Sequence, residues 1–194
     1  MDVLLSKLRW DTPQEELNKA ITILREVDDL SILVKPIDKA HWDNAAMILR
    51  DIGYPRIHNI LPNLLEWTQD LNWPGSRIIA ELLASIGEPL IPFIKVVFKA
   101  QDHIWNYWIL SYILDKWQSD LVQQLEFEIL EIACNFDNED AHIEALKLLV
   151  TKEIGNCKDL LALVRSKRKY HKNLDKSTID KLNIFEEILE KSLK

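Results

Sequence analysis

The sequence predicts an all-α fold of antiparallel helix pairs, and three observations carry that prediction. Apolar residues recur at helical spacing in segment after segment, no segment shows the period-two alternation of a strand, and two short motifs return at a period in the low thirties. Four glycines and seven prolines in 194 residues leave little material for the tight turns of an all-β fold. A chain of this length, 47% hydrophobic and 28% charged, is expected to form one domain with a substantial core.

Thr12-Pro13-Gln14-Glu15 is a capping-box start for the first long helix, whose apolar face is Leu17, Ala20, Ile21 and Leu24. Asp28-Asp29 or a residue soon after ends it, and Pro36 marks another break. Trp42, Ala45, Ala46, Leu49 and Ile52 make the next helix, stopped by Gly53-Tyr54-Pro55. Ile57, Ile60, Leu61, Leu64 and Leu65 predict a helix kinked at Pro62. Ile78, Ile79, Leu82, Leu83 and Ile86 run to Gly87-Glu88-Pro89. Further helices are predicted near 90–100, 103–117, 120–134, 139–152, 157–169 and 177–192.

Ile52-Gly53-Tyr54-Pro55 and Ile86-Gly87-Glu88-Pro89 match as I-G-x-P, 34 residues apart. Gln69-Asp70-Leu71-Asn72-Trp73 and Gln101-Asp102-His103-Ile104-Trp105 match as Q-D-x-x-W, 32 residues apart, with Asp137 to His142 as a degenerate third corner. Each unit has the order helix, stop, helix, corner, which means stacked helix pairs sharing one core. Trp73 precedes a proline and belongs to the boundary itself, Pro74 suits a helix's first turn, and Arg77 is within reach of Asp70. Asp70, Trp73, Arg77 and Asp102 are therefore read as corner residues rather than a catalytic set.

An Asp-bearing turn followed by an Arg in the next helix and then Ile-Gly resembles HEAT-type repeats. Asp70, Arg77, Ala80, Leu83 and Ile86-Gly87 carry the likeness over roughly residues 40–150, although Ile109 stands where the second arginine would be. The resemblance implies an α-α superhelix, a solenoid with residues 1–35 as N-terminal capping helices, 36–152 as repeat core and 153–194 as C-terminal capping helices. The stretches ILPNLLEWTQDLNWPG from Ile60, IAELLASIGEPLIP and DHIWNYWIL also resemble a bacterial family of small all-helical proteins without assigned chemistry.

The charge of -7 disfavours a protein whose main work is holding a phosphate backbone. HEAT-like DNA-repair glycosylases use tryptophans and an aspartate, but in a strongly basic channel. Cys134 and Cys157, without partners of metal-ligand spacing, read as a reduced intracellular pair. MDVLLSKLRW is too short and polar for a signal peptide, and no apolar run reaches 18 residues, so a cytoplasmic protein without a membrane span is expected. Glu139-Asp140-Ala141-His142 has the E-x-x-H spacing of di-iron bundles but no second copy. The five histidines show no zinc-hydrolase pattern, and no phosphate loop is present. No catalytic residue, metal or cofactor is expected. Glu126, Glu128 and Glu131 read as a solvated helix face.

What remains points to a partner. Seven tryptophans are many for this length, and Trp105, Trp108 and Tyr112 fall at i, i+3, i+7, either core packing or a hot-spot face. The basic run Arg165-Ser166-Lys167-Arg168-Lys169-Tyr170-His171-Lys172 is either a helix C-terminal cap or a contact for phosphate or an acidic surface. The expected function is non-enzymatic binding of another protein, with Trp67, Trp105, Trp108, Tyr112, Arg165, Lys167, Arg168 and Lys169 as the candidate contacts. A small acidic immunity or inhibitor protein blocking a basic toxin fits this reading. Nucleic-acid binding through 165–172 is the alternative.

Overall fold

The computed structural model describes residues 2–135, 140–170 and 174–194, and these are predominantly helical, with no strand among them. The suggested third corner at 137–142 and the Glu139 of E-x-x-H fall at or across residues outside the described set. The chain divides into two compact units, Met1–Phe93 and Ile94–Lys194.

The first unit begins with α1 (Asp2–Leu5) and α2 (Gln14–Leu24), followed by α3 (Lys39–Ile52), α4 (Leu61–Glu66) and α5 (Ser76–Ile86). Its core forms where α3 lies against α5, through Ala45, Ala46 and Leu49 on one side and Ile79, Ala80 and Leu83 on the other, all buried. Asp38 starts α3 by accepting the Ala40 N–H at 2.8 Å and contacts the buried His41 ring, so its carboxyl is held below the usual range by the backbone N–H first. Asn44 donates to the Leu8 carbonyl at 2.7 Å and fastens the N-terminal segment to α3.

Several boundaries differ from the sequence prediction. Thr12 does not cap α2: Pro13 holds the cap position without a side-chain hydrogen bond, and the helix ends at Leu24 rather than near Asp28. Asp29 instead caps a 3-10 turn, Leu30–Leu33. Pro62 kinks nothing, because residues 58–60 form a separate 3-10 turn and Pro62 sits in the first turn of α4, where its missing N–H is not needed. Pro74 precedes α5 rather than opening it.

The cap of α5 is Gly75, at φ +75°. A Cβ here would lie 2.8 Å from the Trp42 carbonyl oxygen and 2.9 Å from the Ala46 Cβ. Both the left-handed backbone and the close approach of α5 to α3 therefore require glycine.

After a 3-10 turn, Glu88–Leu90, α6 (Ile91–Lys99) contains the division between the units. The second unit continues with α7 (His103–Trp108), a π-helical turn Ile109–Ile113, a 3-10 turn Leu114–Lys116, α8 (Ser119–Gln123), α9 (Glu126–Cys134), α10 (Ala141–Thr151), α11 (Cys157–Tyr170) and α12 (Lys176–Ser192). The helix predicted at 103–117 thus runs as α, π and 3-10 segments in succession, and the one at 120–134 is two helices. α10 packs against α7, α9 and α12, which explains why it is buried on nearly every face. Its buried Glu144 is held by Lys147 at 3.1 Å and Lys181 at 3.3 Å.

Gly75→Ala is expected to cost about 3 kcal/mol, combining a left-handed Cβ with overpacking against a backbone oxygen. Chemical denaturation measures it; a loss below about 0.5 kcal/mol would show that α5 can back away from α3 freely.

Candidate functional site

Local folding brings three indoles of the first unit together. Trp42 stands in the first turn of α3, Trp67 opens the 3-10 turn after α4, and Trp73 lies in the turn ahead of α5. The Trp42 ring is 4.3 Å from Trp67 and 5.7 Å from Trp73, centroid to centroid, tilted by 38° and 35°. Trp67 is buried, and its Nε1 donates to the Val34 carbonyl at 3.0 Å, which fixes the ring. Trp73 remains 41% exposed, and the Lys39 ammonium sits over it, 4.2 Å from the ring centroid.

Asp70 positions Trp73. Its Oδ1 accepts from the Asn72 backbone N–H and side-chain amide, both at 2.9 Å, and its carbonyl accepts from the Trp73 N–H at 3.2 Å. The three indoles, Glu66, Asp70 and Lys35 are among the walls of a pocket of about 340 Å³. Indole faces attract cations, and the two carboxylates add negative charge; Lys35 opposes them. The arrangement can hold a cationic group.

The two Q-D-x-x-W copies fold differently. Asp102 is the N-cap of α7, its Oδ1 accepting the Trp105 N–H at 3.0 Å, whereas Asp70 closes a turn that α5 follows only at Ser76. Arg77 is exposed in the first turn of α5.

In the second unit Trp105, Trp108 and Tyr112 are each half-buried. The predicted single face is interrupted by the π turn, which adds a residue between Trp108 and Tyr112. Trp108 meets Tyr107 and Tyr112 edge-on at 4.9 and 5.4 Å.

The basic run is not a bare charged surface. Arg165 donates to Glu186 at 2.7 Å and Glu190 at 2.6 Å, and Arg168 donates to Asn183 at 2.9 Å and to Glu186. These bonds hold α11 to α12, and the one from Arg165 chiefly keeps the Glu186 carboxyl below its usual range. Lys167, placed among surface or contact residues by the sequence, is fully buried and donates to the Asn135 carbonyl at 2.6 Å. The reason is its place on the stripe Leu160, Val164, Lys167, all buried on α11. Lys169 is exposed, and His171 and Lys172 lie outside the described residues. Glu128 likewise leaves the expected solvated face: its side chain is 13% exposed and pairs with Lys95 at 3.0 Å.

Among the described residues no three His, Cys, Asp or Glu side chains gather as a metal site, and no helix is long and apolar enough to cross a membrane.

Residues 36–151 match the model of a family described as Domain of unknown function (DUF5071). The chain belongs to that family. The DUF5071 segment begins just before α3, ends with α10 and contains Trp42, Trp67 and Trp73, whereas α11 and α12, with the basic run, lie beyond it. No curated protein and no solved structure matches the chain. Sequence reasoning missed Trp42 as a wall of the DUF5071 pocket and Lys39 as the cation over Trp73. Trp42 looked like one more core position of a helix, and its neighbours come from segments 25 and 31 residues away.

Burial pushes the Lys167 ammonium from 10.5 down to about 8, with Cys134 pulling weakly the other way. The unfolded chain therefore binds the extra proton between about pH 8 and 10.5, so this group makes folding more favourable as pH rises through that window. The melting temperature of the wild type, relative to Lys167→Met, is expected to climb between pH 7.5 and 10. A pH-independent difference between the two would contradict the buried ammonium.

Proposed function

We propose that this DUF5071 protein is a non-enzymatic protein-binding module whose indole pocket grips a basic side chain of its partner. The observation that carries the reading is the Lys39 ammonium lying 4.2 Å over Trp73, a ring that also lines that pocket. The ring face is already used as a cation seat within the chain, beside two carboxylates. A net charge of -7 favours encounter with a basic partner, which fits an immunity or inhibitor protein acting in the cytoplasm. A HEAT-like stack of helix pairs is part of the same reading. It is supported by Gly53 and Gly87, which end α3 and α5 at positive φ, each followed by a 3-10 turn and the next helix.

Titration with an arginine- and lysine-rich peptide, followed by tryptophan fluorescence, is expected to be saturable and to be weakened about tenfold by Trp73→Ala with little change in melting. Lys39→Gln is expected to tighten the same peptide about threefold by clearing the ring face, since an exposed cation–π contact is worth roughly 0.5–1 kcal/mol. Absence of saturable binding, or an affinity indifferent to both substitutions, would dismiss the pocket as the contact.

A further inference from the structure

The second unit has a cavity of its own, about 570 Å³, between the end of α6, the start of α7 and one face of α9. Two of its wall residues carry buried oxygens without hydrogen-bond partners. Asn106 on α7 is 2% exposed and its Oδ1 accepts nothing; Glu128 on α9 gives Oε1 to Lys95 while its Oε2 accepts nothing. An unmade bond at a buried acceptor costs about 1–3 kcal/mol, more for a charged one, and native structures contain few of them. Both idle oxygens belong to residues that line one cavity, and a small side-chain rotation would bring each to a donor supplied from outside.

We infer that this cavity is a binding site for a guanidinium group. What the two idle oxygens lack is a donor, and guanidinium brings five donors in one plane, able to serve acceptors on two different helices at once. The terminal torsions of Asn and Glu are broad, so both oxygens can turn toward an entering group at small cost. Phe127, 70% exposed, also lines the cavity and presents a ring on which a planar cation stacks. Glu131 adds a second carboxylate to the walls; Lys99 and His103 face them as well, and Lys95 is engaged with Glu128. Charge alone therefore does not select the ligand. The unmet groups do, and they are acceptors. Asn135, on the same wall, already has its carbonyl occupied by Lys167. This site shares no residue with the indole pocket and does not depend on it.

The test uses the full chain and three probes, agmatine, a short arginine peptide and its lysine counterpart, titrated with calorimetry and amide NMR. Both guanidinium probes are expected to bind and to shift the Asn106 side-chain resonances, and the lysine peptide to bind at least tenfold more weakly. Asn106→Leu is expected to melt no lower than the wild type, because it removes an unpaired polar atom, and to weaken guanidinium binding about tenfold or more. Phe127→Ala, at an exposed position, keeps the fold and is expected to weaken it about threefold to fivefold. Trp73→Ala should leave the Asn106 shifts unchanged, which separates this site from the proposed protein-binding pocket. A peptide much tighter than agmatine assigns the guanidinium to a protein's arginine; equal affinities assign it to a small molecule. Equal binding of the lysine peptide, or no binding of either guanidinium probe, would overturn the inference and leave water as the occupant.

Discussion

The first unit depends on the contact that Gly75 allows between α5 and α3. A residue with a Cβ at that point would strike the Trp42 carbonyl and the Ala46 methyl, and would sit 3.1 Å from the Trp67 ring. The same approach brings the turn carrying Trp73 toward the start of α3, where Trp42 lies between Trp67 and Trp73. The pocket is thus a by-product of helix packing: its three rings come from three segments that meet only because α5 can begin so close to α3. Asp70 then sets the last of them, using its carboxylate to close the turn rather than to start the helix.

Charge in the second unit is organised differently from what a linear reading suggests. Arg165 and Arg168 reach across to Glu186, Glu190 and Asn183, so the densest basic run of the chain holds α11 to α12. Exposed pairs of this kind contribute little each, roughly 0–1 kcal/mol, but they neutralise charge that would otherwise face solvent. Lys167 and Glu144 are of another kind, because both are buried. Glu144 is matched by two lysines, and Lys167 is given the Asn135 carbonyl, in keeping with the rule that buried charge persists only when it is bonded.

Helix identity was legible in the sequence because it follows from local periodicity: the face Ala45, Ala46, Leu49 and the stops at Gly53 and Gly87 needed no tertiary knowledge. The prolines were misread where two roles compete. Pro62 fits a kink or a first turn equally well on paper, and the separate 3-10 turn over 58–60 decides for the first turn. Repetition of Q-D-x-x-W proved a guide to the presence of a corner but not to its geometry, since a short aspartate can cap a helix or close a turn with the same atoms. Side-chain burial was the least accessible quantity. Lys167 sat visibly on an apolar stripe, so its inward position could have been found; Glu128 and Asn106 had no such signal, because the cavity between them forms from α6, α7 and α9 together.

The indole pocket also suits the proposed binding in an energetic sense. Indoles have only two side-chain torsions, so they offer large contact area with little freedom to lose. Here two of the three have lost most of it already: Trp67 is buried and bonded through Nε1, and Trp42 is held between two rings. Only Trp73 keeps substantial exposure, and Lys39 restrains it from above. Ordering of interface side chains is a main cost of association, about 0.5–1.5 kcal/mol for each one immobilised. A surface on which that ordering happens during folding can bind through a small contact, and the proposed encounter would then leave one exchange, an incoming cation for the Lys39 ammonium. The affinity of such a site is then set by the difference between two cations on the same ring face, which favours a planar, weakly hydrated guanidinium over the lysine it displaces.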